Sequence, residues 1–127
     1  MSFMEGDPRT RFITHKGVSI LLLDYSGIAD TDTALKEIAR SRRIIAQQPR
    51  GSLRTLTYVE GAHYDTRVVQ ALKDLTTHNA PFVKAAAVVG LNALRRVIYR
   101  AVITFSRRDI RVFADLDTAK DWLAGQS

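Results

Sequence analysis

The runs Leu53-Arg-Thr-Leu-Thr-Tyr-Val59, Val83-Lys-Ala-Ala-Ala-Val-Val89 and Ile110-Arg-Val-Phe113 decide the reading of this chain. Each is apolar and rich in β-branched or small residues. Each ends at a polar loop and is followed by a segment with helical periodicity. Strand-then-helix alternation repeated in this way predicts an α/β domain with a largely parallel sheet.

Upstream, Arg11-Phe-Ile-Thr-His15 and Val18-Ser-Ile-Leu-Leu-Leu-Asp24 flank Lys16-Gly17, a spacing that predicts an antiparallel hairpin. The second of these runs is almost wholly apolar, as a central strand covered on both faces requires. Thr31-Asp32-Thr33 suits a helix N-terminus, and the stripe Leu35, Ile38, Ala39, Ile45 and Ala46 continues to Pro49 and Gly51. Asp65 is placed to cap a helix with the stripe Val68, Ala71, Leu72 and Leu75. A further helix runs from near Asn92 to about Phe105, with Leu94, Val97, Ile98, Ala101, Val102 and Phe105 at a 3.6 period. The last helix turns Ala119, Trp122 and Leu123 inward. The predicted order is β-β-α-β-α-β-α-β-α: a mixed, mostly parallel five-stranded sheet with about four helices. Residues 1–10 form a loose tail, 11–124 one domain and 125–127 a second tail.

At 127 residues the chain can bury a core without covalent staples, and its lack of cysteine excludes disulfides, thiolate metal sites and a cysteine nucleophile. No stretch approaches the roughly 20 apolar residues of a membrane span. Met1–Thr10 has no apolar core and carries two acids, so it does not read as a secretory signal, and a cytoplasmic location is expected. The net charge of +6, with arginine supplying 14 of 19 basic residues, permits contact with an acidic protein, a nucleic acid or an anionic membrane surface. A helix-turn-helix pattern and a run of stacking aromatics are both missing, which disfavours nucleic acid.

Ile110-Arg-Val-Phe-Ala-Asp-Leu-Asp-Thr-Ala-Lys-Asp-Trp-Leu123 resembles the C-terminal signature of bacterial SpoIIAA-like proteins, within the sulfate-transporter and anti-sigma-factor-antagonist (STAS) domains. Val88-Val89-Gly90 and the element order are also similar to that group, and the resemblance covers roughly residues 11–124. It implies a small regulatory module without catalytic activity that binds a partner protein, or alternatively a small-molecule or lipid carrier. Antagonists of the group carry a phosphorylatable Ser behind an Asp at the start of the helix after the third strand. The corresponding stretch here looks like Glu60-Gly61-Ala62-His63, with no hydroxyl before Tyr64 and Thr66, so that switch is expected to be missing.

In open α/β sheets ligands bind beyond the carboxyl ends of the strands. The residues expected there are Asp24, Tyr25, Ser26, Glu60, His63, Tyr64, Asp65 and Asn92. His63 beside acids is the one candidate general base, and it reads better as part of a recognition loop than as a reaction centre. His15 and His78 are expected to lie apart from it, which opposes a three-histidine metal site, and no glycine-rich nucleotide loop is present. No metal or cofactor is therefore expected. On the helix from Asn92, Tyr99 and Ile103 fall opposite the inner stripe, flanked by Arg95, Arg96 and Arg100. That face is expected to receive an acidic partner protein, a second copy of the chain or an anionic membrane surface.

Overall fold

A computed structural model describes residues 8–92, 96, 100 and 110–126. Its sheet has five strands in the order β1-β2-β3-β4-β5: β1 Thr10–His15, β2 Val18–Asp24, β3 Leu53–Tyr58, β4 Val83–Val89 and β5 Arg111–Phe113. β1 and β2 are antiparallel, and the remaining pairs are parallel. The α/β class, the hairpin and the mixed sheet therefore stand as expected. β1 begins one residue early: Thr10, expected in the tail, is 2% exposed. At the hairpin His15 pairs with Val18, and both turn residues have positive φ, 52° at Lys16 and 77° at Gly17. That is the two-residue turn whose twist matches paired strands.

Among the described residues three α-helices pack on the sheet: α1 Thr31–Ala46 and α2 Thr66–Asn79 between strands, and α3 Leu116–Ala124 after the last strand. Strand order follows chain order, and crossovers between parallel strands are right-handed, so α1 and α2 fall on one face of the sheet. They pack there on Leu21, Leu23, Leu53 and Val88. α3 follows the last strand and is free of that constraint. It covers the other face, where Ala119 and Leu123 meet Ile20, Leu22, Leu56, Ala85, Ala87 and Val89. The two cores explain the apolar runs. Successive side chains of a strand point to opposite faces, so a strand covered on both must be apolar throughout.

The same side-chain oxygen device starts each of these three helices. Asp30, Asp65 and Asp115 have extended backbones and accept the N–H of Thr33, Val68 and Thr118 respectively. The buried stripe of α1 differs in part from expectation. It is Ala34, Ile38, Ser41 and Ile45, with Leu35 half-buried and Ala39 and Ala46 exposed. A polar residue in the apolar stripe displaced the reading by one position. After α2, a 3-10 turn at Ala80–Phe82 holds Pro81, which cannot continue the helix. Arg96 and Arg100 are helical and exposed; the stripe expected between Leu94 and Phe105 lies outside the described residues.

Candidate functional site

The carboxyl ends of β2, β3 and β4 open into three loops that are stitched to one another. Tyr25 N–H donates to the carbonyl of Tyr58 at 2.8 Å, and Val59 N–H to that of Val89 at 2.9 Å. One layer further out, Gly27 N–H donates to the Glu60 carbonyl at 2.9 Å and His63 N–H to the Ile28 carbonyl at 2.8 Å. Gly90 makes this stacking possible. A Cβ at that position would lie 2.6 Å from Glu60 N and 2.9 Å from its Cα, and its φ is +99°. The loop after β3 crosses directly over the end of β4, where no side chain fits.

Three side chains meet on this crest. Thr31, the first residue of α1, donates its hydroxyl to Asp65, the cap of α2. His63 places Nε2 3.1 Å from the Thr31 oxygen and 3.0 Å from Asp65 Oδ2. The Thr31 hydroxyl, the Val68 N–H and His63, in that order, hold the Asp65 carboxyl well below the usual carboxylate range. His63 and Asp65 are about one third exposed. A catalytic relay places the acid on one ring nitrogen and the nucleophile on the other. Here both partners share Nε2, and the threonine proton is already given to the carboxylate. The arrangement ties the N-termini of α1 and α2 together.

The other expected residues separate. Glu60 is exposed on the crest. Together with Tyr58, Gly90, Asp115 and Asp117 it lines an open cleft of about 400 Å³. Asp24 accepts from the backbone N–H and hydroxyl of Ser26, and Arg9 braces this turn by donating to the Ser26 carbonyl at 2.7 Å. Tyr25 is not a surface residue. It is 4% exposed, and its hydroxyl donates to Ser41 at 2.8 Å. Tyr25 follows Leu23 by two positions and shares its face of the sheet, so its ring enters the core beneath α1. Tyr64 is half-buried against the same core. Asn92 is exposed, and its carbonyl accepts the Arg96 N–H at 2.9 Å. Arg95, Tyr99 and Ile103 lie outside the described residues, whereas Arg96 and Arg100 are exposed. His15 pairs with Asp121 of α3 at 2.7 Å, and His78 with Asn79 at 3.0 Å, both away from His63.

Thr31 was not among the expected site residues, although its hydroxyl at a helix start was visible in the sequence. Thr66 is the second finding. It opens α2 directly behind Asp65 and is exposed, so an acid-then-hydroxyl pair does stand at that helix start, beyond the stretch 60–63.

Among the described residues, two small, partly open pockets lie between the sheet and its helices. One, of about 20 Å³, is lined by apolar side chains and His63 between α1 and α2. The other, of about 40 Å³, lies beside Thr55, Thr57, Thr76 and Asn79. Each holds at most a few waters.

No protein-family model, curated protein or solved structure matches the chain.

Proposed function

We propose that the chain is a regulatory protein-interaction module without catalytic activity, of the SpoIIAA-like type that its C-terminal segment resembles. The partner docks on the crest at the carboxyl ends of β2 to β4. The observation that carries this reading is the stitching of that crest. Backbone hydrogen bonds join its loops, and Thr31, His63 and Asp65 spend their polar groups on one another. Such a surface is preorganised for recognition, and the shared Nε2 opposes nucleophilic catalysis. The carrier alternative draws no support from the two small pockets, which hold at most a few waters.

The test is affinity capture from the source cells with wild type, Glu60→Arg on the crest and Lys84→Glu at the opposite ends of the strands. A partner recovered by wild type and Lys84→Glu, and at least ten-fold less by Glu60→Arg, supports the proposal. Equal recovery by all three variants removes the crest as the docking face. The proposal includes no phosphorylation switch, and an intact mass showing phosphate on Thr66 in cells overturns that part.

A further inference from the structure

Thr31, His63 and Asp65 spend their side-chain protons on one another, and the accounting leaves one lone pair over. The Thr31 hydroxyl has a single proton and gives it to Asp65. Asp65 is ionised and accepts at both oxygens: Oδ1 takes the Val68 N–H at 2.8 Å, and Oδ2 takes the Thr31 hydroxyl. Nε2 of His63 lies 3.1 Å from the Thr31 oxygen and 3.0 Å from Asp65 Oδ2, and neither has a proton to offer it. Nε2 therefore carries the proton, and in the neutral ring Nδ1 is left as an acceptor. Nδ1 has no hydrogen-bond partner among the described residues, and it is not one of their buried polar atoms. The side chain is 33% exposed.

Both ends of this residue are fixed. The Ile28 carbonyl holds its backbone N–H at 2.8 Å, and Thr31 and Asp65 hold its ring. The lone pair is thus set in position before a partner arrives. It stands among carboxylates: Asp30 caps α1, Asp65 caps α2, and Glu60 is exposed on the same loop. A surface that offers acceptors and negative charge is complementary to a donor that carries positive charge.

We propose that Nδ1 of His63 is a fixed acceptor on the crest, that it takes an N–H from a basic segment of the partner protein, and that protonation of the ring switches this docking off. The proposal rests on the reading of the crest as a docking face and adds the partner's chemistry and its regulation. The switch has one direction. Neutral imidazole accepts at Nδ1, whereas the imidazolium formed as pH falls donates there and repels a cation. Nε2 keeps its proton in both states, so the fold loses no hydrogen bond. The groups facing the ring are the carboxylates of Asp65 from α2 and Asp30 from α1, with Lys36 acting on Asp30, and the phenols of Tyr25 and Tyr64 in the pocket that His63 lines. A charged ring between two carboxylates leaves the fold intact.

NMR correlating the ring nitrogens with the ring protons reads the tautomer. Wild type at about pH 8 should show the proton on Nε2 and none on Nδ1. The opposite tautomer overturns the proposal. Asp65→Asn tests what sets it. Asparagine caps a helix as well as aspartate does, and the Val68 N–H keeps its oxygen, so its NH2 turns to Thr31 and His63. Nε2 then becomes the acceptor, and the ring proton should move to Nδ1. An amidated hexa-arginine peptide stands in for the basic segment. It should shift the amides of Gly61 to Tyr64 at about pH 8 and bind at least about ten-fold more weakly at about pH 5.5, where carboxylates remain ionised. His63→Gln should remove this pH dependence. Binding that is absent at both pH values, equal at both, or equally pH-dependent in His63→Gln overturns the proposal. Equal capture by the three variants of the preceding test would remove the docking face itself. Failure here, with capture still lost in Glu60→Arg, leaves that face standing and changes only the chemistry of its partner.

Discussion

Replacing Gly90 by Ala should be among the most damaging single-methyl changes in this protein. The added Cβ would sit 2.6 Å from Glu60 N and 2.9 Å from Glu60 Cα, both backbone atoms that cannot rotate away. Forcing a methyl into packed backbone costs about 1–3 kcal/mol. Holding a non-glycine residue at φ +99° adds about 1–2 kcal/mol. The sum, about 2–5 kcal/mol, is a large share of the roughly 5–15 kcal/mol that stabilises a domain. Gly27→Ala is the control. Gly27 has φ +67°, but a Cβ there meets nothing within 4 Å, so it carries the backbone cost of about 1–2 kcal/mol without the collision. Urea unfolding followed by Trp122, the single tryptophan, measures both. Gly90→Ala should lose at least about 1 kcal/mol more than Gly27→Ala, the lower bound of the collision cost. Equal losses would refute the idea that the β3–α2 loop rests on the end of β4.

Ser41→Ala strips an acceptor from the Tyr25 hydroxyl and a partner from Thr10 in a fully buried site, and should cost about 1–3 kcal/mol in urea unfolding. Burial raises the Tyr25 phenol above its ordinary range, despite the opposing hydrogen bond to Ser41. A raised folded pKa gives stability that is complete below the unfolded value of about 10 and is lost as pH climbs beyond it. Wild type should therefore lose stability above about pH 10 more steeply than Tyr25→Phe, as read by thermal melts across that range. The Asp65 carboxyl is shifted the other way, chiefly by the Thr31 hydroxyl. Its stabilisation is present above the unfolded value of about 4 and is lost as pH falls further, so Asp65→Asn should flatten the acid limb of the stability curve. Leu123→Ala empties a site with no exposure between α3 and the sheet, and should cost about 2–5 kcal/mol in the same unfolding assay.

Much of the architecture was legible because its signals are local. The run Val18–Asp24 could serve only as a strand covered on both faces, and Lys16-Gly17 supplies the turn geometry that the hairpin needs. Asp65 stands where the chain changes from extended to helical and reads as a cap, whereas Asp30 caps α1 one residue before the Thr31-Asp32-Thr33 expected to open it. What escaped the sequence is set by distance. Ser41 reads as a flaw in an apolar stripe until Tyr25 and Thr10 are seen to converge on it. Gly90 reads as a simple turn residue, because its neighbour Glu60 lies 30 positions away in the chain. Tyr25 reads as a loop residue for the same reason: its burial comes from α1, whose position follows from crossover handedness rather than from any local pattern. Helix placement on the two faces was likewise undetermined until the strand order was known.

The caps bear on what the crest can recognise. In an open α/β sheet the helix N-termini gather at the carboxyl ends of the strands, and their free N–H groups make that end a natural anion site. All three described helices begin there, and each has already spent an N–H on its own aspartate, with Asp65 further tied to Thr31 and His63. A phosphate or carboxylate ligand would meet a tethered carboxylate at each of these N-termini, and Glu60 and Asp117 beside Asp115 as well. Asp30, Asp65, Asp115, Asp117 and Glu60 thus gather at the end of the sheet that usually draws anions, in a chain whose net charge is +6. That gathering of acids weighs against an acidic protein, a nucleic acid or an anionic membrane surface on the crest, contacts that the composition had left open. It favours a partner that presents backbone donors or basic side chains to the crest, as the proposed docking of a protein requires.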